Sequence, residues 1–307
     1  MRTLAAIRTH HWGEDARRLH AQLAPVFGED LVVVFHNRPA DLELPLPVID
    51  INDDWVAGQG LRLVPDWGWR CGDYFLYALR AARRNADFFW LIEPDVYFSA
   101  DPAPLFARLA GVGHDALGVR IEALPPEHEF MRRAEGRQLH RAIFAFSRWS
   151  ASVVDWLLDL RRREGAQLDP ARTLMNDECF CFTNLVEQDR FSVAELAQVA
   201  PDLVNPTTMV TDPDILEEMV QQEAGAIVHH PVRGRESYID AIARRLARRA
   251  WINRIGVNAL PRLSETEVHA LCDSVARHLE VSLLETRTQL IRRNRRIARQ
   301  NRSPHHA

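Results

Sequence analysis

The segment FFWLIEPDVYFSADPAPLF, residues 88–106, carries the strongest indication of the fold of this chain. Its first five residues are all apolar and predict a strand that is buried on both faces, as in a parallel sheet. Pro94 cannot extend a hydrogen-bonded ladder, so the strand must end beside it. Pro102 stands where the first turn of a helix favours proline. The stretch therefore predicts a buried strand, a turn and a helix.

Strands and helices alternate on both sides of this stretch. The predicted strands are residues 3–7, 31–36, 47–51, 88–92, 115–121, 141–147 and 226–232, and the predicted helices are residues 13–27, 73–84, 102–110, 149–163, 174–188 and 213–223. Strands that alternate with helices form a mainly parallel sheet with helices on both faces. We therefore predict a Rossmann-like α/β fold, which binds ligands beyond the carboxyl ends of its strands.

The composition excludes several classes of protein. The chain has 307 residues, 47% of them hydrophobic, and a net charge of −4, which is not typical of a nucleic-acid-binding protein. It contains no lysine, so a P-loop lysine and a Schiff-base lysine are excluded. Its four cysteines form no CxxC pair, which favours reduced, buried thiols. Neither a signal peptide nor an apolar run of about 18 residues is present, so we predict a cytoplasmic protein.

Two carboxylates follow the most apolar strand directly. Glu93 and Asp95 leave the 88–92 strand at the predicted carboxyl edge of the sheet. Hard oxygen ligands suit Mg²⁺ or Mn²⁺, and these cations in turn suit a diphosphate. The alternative is that the two acids only end the strand and cap the next helix.

This segment resembles the strand–DxD–loop–helix segment of the GT-A-fold, nucleotide-sugar-dependent glycosyltransferases, with Glu93 in the first acidic position. The resemblance covers roughly residues 3–235, through the order of elements and short motifs. It implies that a nucleoside diphosphate sugar is the donor, a glycan or lipid-linked glycan the acceptor, and Mn²⁺ or Mg²⁺ the cofactor. It also implies that Asp95 binds the metal and that Glu93 contacts the metal or the donor's ribose.

The resemblance gives a second acidic pair, in MNDECF (residues 175–180), the role of general base in an inverting reaction. Asp177 and Glu178 point about 100° apart on a helix, so one of them faces the cleft. The face of Asp177 carries more polar neighbours, which favours Asp177 over Glu178 as the base. The alternative is that Asn176 and Asp177 only cap the helix.

Two further stretches complete the site that the resemblance implies. The first stretch is HHPVRGRESY, residues 229–238. In the implied site, His230 completes the metal ligands, and the guanidinium of Arg233 donates two hydrogen bonds to diphosphate oxygens. Arg8 and Thr9, just after the first strand, form one wall of the donor site. The alternative for His230 is a purely structural histidine.

The segment WGWRCGDYFLY, residues 67–77, is the predicted opposite wall of the donor site. Arg70 and Asp73 lie at the start of a predicted helix, whose free N–H groups favour an anion. Trp67 and Trp69 offer stacking surfaces for a base or a sugar. The alternative is that both tryptophans pack a loop and that Asp73 only favours the helix dipole.

The character of the chain changes after the predicted catalytic domain, residues 1–235. Residues 236–307 predict an Arg-rich helical extension with a disordered tail. Packing on the body or a homodimer seam is the favoured role, ahead of contact with the inner membrane surface, and we expect no nucleic-acid partner.

Two other functions fit parts of the sequence. A sugar nucleotidyltransferase uses a similar sheet and metal, but commonly has a Gly-rich N-terminal loop and a lysine, and neither occurs here. A non-catalytic binding protein on a degenerate GT-A fold is the third candidate, because Glu replaces the first Asp of the motif.

Overall fold

The computed structural model describes residues 1–128, 130–131, 136–169, 174–220, 226–247 and 263–279. The chain divides into two compact units. The first consists of Met1–Thr211 and Val220–Val232, and the second of Asp212–Met219 and the residues from Arg233 onward. The domain boundary after residue 235 stays a prediction.

In the described part of the chain, the first unit contains a seven-stranded sheet with the order β3-β2-β1-β4-β7-β6-β8. The strands of the chain are β1 Thr3–Thr9, β2 Leu31–His36, β3 Val48–Ile51, β4 Phe88–Ile92, β5 Tyr97–Phe98, β6 Ala116–Ala123, β7 His140–Ser150, β8 Val193–Glu195, β9 Ile215–Leu216, β10 Val228–His229 and β11 Val232–Arg233. Within the sheet only β7 is antiparallel to its neighbours, β4 and β6. The predicted, mainly parallel α/β fold is therefore confirmed.

The described helices follow the predicted pattern with a few differences. They are α1 Glu14–Phe27, α2 Asp53–Gly58, α3 Trp67–Arg70, α4 Asp73–Ala82, α5 Ala103–Ala110, α6 Ala151–Gln167, α7 Asp177–Val186, α8 Leu196–Val199, α9 Arg235–Ala247 and α10 Glu265–Leu279. The predicted strand 226–232 is wrong as a strand of the main sheet, because β10 pairs with β5 in a separate two-stranded sheet.

The predicted helix 213–223 is also wrong over its described residues, 213–220, and the remainder of it lies outside the described residues. This segment contains the short strand β9 and a 3₁₀ turn at Glu217–Met219. Asp214 is buried and pairs with Arg233 at 3.0 Å and with Arg245 at 2.7 Å. These ion pairs to distant residues hold the segment, and helical spacing in the sequence gives no sign of them.

Strand β4 shows how the sheet packs on both faces. Phe89 and Leu91 belong to a core formed with α4, α6 and α7. Trp90 and Ile92 belong to a second core formed with α1 and α5. Successive side chains of a strand point to opposite faces. The strand is therefore buried on both sides, and the residues that follow it reach the polar edge of the sheet.

In the second unit, α9 and α10 form their own small core. Ile242 and Leu246 of α9 are buried with Leu271 and Val275 of α10. The apolar face of α9 is thus covered by a helix of the same chain. The end of the predicted helical extension and its tail, residues 280–307, lie outside the described residues. Among the described residues, no helix is long and apolar enough to cross a membrane.

Candidate active site

A tight turn after β4 carries the first two acidic residues of the site. The amide of Glu93 donates to the carbonyl of Ala145 at 2.9 Å, and the amide of Val96 donates to the carbonyl of Glu93 at 3.1 Å. The chain then enters β5. Asp95 is buried and Glu93 is half-buried. The turn thus places both carboxylates at the carboxyl edge of the sheet, as predicted for this fold.

Strand pairing brings His230 to the same turn. In the antiparallel pair of β5 and β10, His229 lies opposite Tyr97. Just beyond this pair, the amide of Val232 donates to the carbonyl of Asp95 at 2.8 Å. His230 therefore lies beside Asp95 although the two residues are 135 positions apart in the sequence, as their numbers show.

The ring of His230 is oriented as a metal ligand would be. Its Nδ1 lies 2.7 Å from the carbonyl oxygen of Val210, which can only accept a hydrogen bond. The proton is therefore assigned to Nδ1, and the lone pair to Nε2. Nε2 lies 3.6 Å from Oδ1 of Asp95. A backbone carbonyl that fixes the tautomer in this way is a common partner of metal-bound histidines.

Glu93, Asp95 and His230 form one group of potential ligands. One ligand atom from each of these side chains lies within 4.8 Å of the others. Two carboxylates and one imidazole suit Mn²⁺ or Mg²⁺, with Mn²⁺ the better match for the nitrogen ligand. The donor set therefore fits the predicted cation.

Arg8 connects this group to the second acidic pair. Its Nη2 lies 2.9 Å from Oε1 of Glu93, and its Nη1 lies 3.1 Å from Oδ2 of Asp177. The rings of Phe75 and Phe144 lie 5.4 and 5.6 Å from the guanidinium carbon. Burial alone would lower the pKa of Arg8, but the charges of Glu93 and Asp177 raise it overall. Arg8 is thus a fixed cation between the two acidic groups.

Helix α7 presents Asp177 and Glu178 in its first turn. Its N-cap is Asn176, whose Oδ1 accepts from the amide of Cys179 at 3.3 Å. Asp177 is buried and its Oδ2 also accepts from the amide of Gly72 at 2.8 Å. Burial is the main cause that raises the pKa of Asp177 to about 6, which Arg8 partly opposes.

Glu178 is half-buried and its carboxylate makes no hydrogen bond to another described residue. Burial, followed by the charges of Asp177 and Glu93, raises the pKa of Glu178 to about 8. The helix face with the more polar neighbours is therefore not the exposed one, because Asp177 is the more buried of the two. Its carboxylate is already held by Arg8 and Gly72. Of the pair, Glu178 is the residue better placed to accept a proton.

The predicted donor wall at residues 67–77 is only partly available. Asp73 is fully buried, and its carboxylate is bound by Arg161. Asp73 as a ligand for the donor is therefore wrong, because no part of it can reach a ligand. Trp67 is also in the core, whereas Trp69 is 72% exposed. The guanidinium of Arg70 lies 5.9 Å from the Trp69 ring, so these two residues remain candidates for the wall.

The other two predicted donor contacts are occupied by interactions within the protein. The hydroxyl of the buried Thr9 donates to the carbonyl of His11 at 2.6 Å. Arg233 belongs to the second unit, where it pairs with Asp214. The side chains of Thr9 and Arg233 therefore serve local structure.

Gly72 is a site residue that the sequence analysis did not identify. A Cβ at this position would lie 1.3 Å from Nη1 of Arg8 and 2.2 Å from Oδ2 of Asp177. Only glycine therefore allows these two side chains to meet beside the backbone. The sequence signal is the glycine directly before a helix that starts with an acidic residue.

Comparisons with known proteins give remote similarities. No family model matches the chain, and the comparison with curated proteins gives no match. A putative glucose-1-phosphate thymidylyltransferase from Bacillus anthracis, solved with a sucrose, is 11% identical over 63% of this chain and 86% of its own, with a TM-score of 0.37. A glycosyltransferase involved in glycosylation of the major capsid of PBCV-1 is 10% identical over 66% and 85%, with a TM-score of 0.36. The galactosyltransferase LgtC, solved with donor and acceptor sugar analogues, is 11% identical over 71% and 76%, with a TM-score of 0.40. Sequence identities and TM-scores this low do not indicate the function of this chain.

Proposed function

We propose that this chain is a metal-dependent, inverting glycosyltransferase that moves a sugar from a nucleoside diphosphate sugar to the hydroxyl of a glycan or lipid-linked glycan. The observation that carries the proposal is the group of ligand atoms from Glu93, Asp95 and His230 at the carboxyl edge of the sheet. When bound there, Mn²⁺ or Mg²⁺ would supply Lewis-acid stabilisation of the charge on the leaving diphosphate.

The second acidic pair supplies the other half of the chemistry. Glu178 takes the proton of the acceptor hydroxyl as its oxygen attacks the anomeric carbon, and the bond to the diphosphate breaks. A base whose pKa of about 8 lies near the working pH suits this transfer. Asp177, held by Arg8 and Gly72, fixes the first turn of α7. One base and one attack involve no covalent intermediate, so the reaction inverts the configuration.

The experiment that tests the metal role compares Asp95→Asn with Asp41→Asn. Asp41 is exposed and its side chain makes no hydrogen bond or ion pair with another described residue, so it controls for the chemical change. Calorimetry should show Mn²⁺ binding to the native protein and to the control, and a loss of affinity of about 100-fold or more in Asp95→Asn. Equal Mn²⁺ affinity and equal donor turnover in all three proteins would refute the metal role.

The released product separates the proposed function from its alternatives. A transferase releases a nucleoside diphosphate when Mn²⁺, a sugar nucleotide and an acceptor are present. A nucleotidyltransferase converts a sugar phosphate and a nucleoside triphosphate and releases pyrophosphate. A binding protein releases neither. A thermal-shift screen with UDP-, GDP- and CMP-sugars chooses the donor first, because a ligand that binds only the folded state raises the melting temperature.

A further inference from the structure

A buried ion pair links the two helices that lie next to the acidic pair. Asp73, at the start of α4, and Arg161, on α6, are both fully buried. The Nε and Nη2 atoms of Arg161 donate to the two carboxylate oxygens of Asp73 at 2.8 and 3.0 Å. The hydroxyl of Tyr77 also donates to Asp73, at 2.9 Å.

The same guanidinium reaches both sides of the acidic pair in α7. Its Nη1 donates to the carbonyl of Met175 at 2.9 Å, just before Asp177 and Glu178. Its central carbon lies 3.6 Å from the centre of the Phe180 ring, just after them. Arg161 therefore holds the chain immediately before and after the pair.

The partner of Arg161 acts on the pair from the opposite side. Asp73 directly follows Gly72, whose amide donates to Oδ2 of Asp177 at 2.8 Å. Fixing Asp73 restrains this amide as well, because the two residues share a planar peptide bond and only the φ and ψ angles of Gly72 lie between that bond and the Gly72 N–H. The backbone on either side of Asp177 and a hydrogen bond to its carboxylate thus depend on one ion pair.

We infer that the Asp73–Arg161 pair is a positioning device for the acidic pair Asp177 and Glu178, and this inference rests on the proposed function. Stability alone is a weak reason for such a pair, because desolvation offsets much of the attraction between buried charges. A general base must lie within hydrogen-bond reach of its substrate, and a displacement of about 1 Å can cost about 100-fold in rate. A rigid, forked ion pair provides that accuracy.

The test uses two changes in the full chain, Asp73→Asn and the double change Asp73→Leu with Arg161→Met. Asp73→Asn keeps the shape of the side chain but weakens its two hydrogen bonds with the guanidinium of Arg161. The second removes both charges, so it leaves no unpaired buried charge and is expected to remain folded. The control is Asp155→Asn. Asp155 on α6 pairs with Arg80 on α4 at 2.8 Å, so it joins the same two helices at the surface.

We expect both changes to lower kcat by about 10- to 100-fold per folded molecule. The donor KM and the Mn²⁺ affinity should remain within about threefold, because neither Asp73 nor Arg161 is among the ligand group. The pH profile of kcat should also shift, which a loss of folded protein alone would not cause. The control should match the native protein in all three measurements. Unchanged kcat and pH profile in both variants would overturn the inference.

Hydrogen exchange gives a readout that does not depend on transferase activity. In both variants, amides of residues 174–180 should exchange about tenfold faster, while the hydrogen-bonded amides of Glu93 and Val96 keep their native protection. If the native protein transfers no sugar but this exchange pattern is found, the proposed function fails and the positioning role holds. If residues 174–180 keep native protection in both variants, the positioning role fails even where transfer is observed.

Discussion

Glu178→Gln should stabilise the protein at high pH while it abolishes transfer. The fold raises the pKa of Glu178 to about 8, through burial and through the charges of Asp177 and Glu93, which Arg141 and Arg8 partly oppose. Because the folded value exceeds the ordinary one, the protonated carboxyl is preferred in the folded state. The associated stability is fully present below about pH 4.5 and is lost as the pH rises through about 8. Glutamine never ionises, so the Glu178→Gln variant does not lose this stability as the pH rises.

The magnitude follows from the two pKa values. The values of about 8 and 4.5 differ by about 3.5 pH units, and at about 1.4 kcal/mol per unit the ionised side chain costs the folded state at most about 5 kcal/mol. Glu178 keeps part of its surface in water, and screening there reduces the cost. We therefore expect the free energy of unfolding of Glu178→Gln to exceed that of the native protein by about 2 kcal/mol at pH 9 and by much less at pH 5.

The assay is thermal unfolding at pH 5 and pH 9 in the presence of EDTA, which keeps the comparison metal-free. The melting temperature of Glu178→Gln should exceed that of the native protein by about 4–8 °C at pH 9, since each kcal/mol corresponds to about 2–4 °C at this size. Glu43→Gln is the matched control, because Glu43 is exposed and its side chain makes no hydrogen bond or ion pair with another described residue. In kinetics, Glu178→Gln should lose at least about 100-fold in kcat. An equal pH dependence in the two proteins, or near-native kcat, would refute the assignment of Glu178.

Four further changes test the surroundings of the site. Gly72→Ala should lower the free energy of unfolding by about 1–3 kcal/mol, measured by denaturant titration, because its Cβ would overlap Arg8 and Asp177. Arg8→Lys should lower kcat by about tenfold or more in steady-state kinetics, since a single ammonium cannot bridge two carboxylates as a guanidinium does. Trp69→Ala should weaken sugar-nucleotide binding by about tenfold in calorimetry without changing the melting temperature, if its exposed ring stacks on the base. Trp67→Ala should instead destabilise the fold by about 3–5 kcal/mol, because that ring is buried.

The parallel strands and the turn after β4 could be predicted from the sequence. Fully buried strands are continuous apolar runs, and FFWLI is such a run with a proline-containing turn behind it. The short-range signals fix where Glu93 and Asp95 leave the sheet. His230 was predicted only through a resemblance, because the pairing of β5 with β10 joins segments about 130 residues apart.

Other features of the site depend on partners that no local pattern reveals. The sequence places Asp73 at a helix start, where an exposed acid would favour the dipole, but Arg161 lies 88 positions away and buries it. The exposure of Asp177 and Glu178 likewise depends on what packs against the first turn of α7. Helical spacing gives the angle between two side chains, but it does not say which of them meets Arg8 and Gly72.

The balance of charge at the sheet edge gives a reason for the cation that is independent of ligand geometry. Glu93, Asp95, Asp177 and Glu178 carry four negative charges when ionised, and Arg8 is the cation that directly contacts two of them. Asp73 is neutralised separately by Arg161. Part of the surplus is removed by protonation, as the raised pKa of Glu178 shows. A divalent charge beside Glu93 would favour the ionised form of Glu178. Metal binding and activation of the base are therefore coupled, so saturating Mn²⁺ should move the lower limb of the kcat–pH profile to lower pH, relative to subsaturating Mn²⁺, in the native protein.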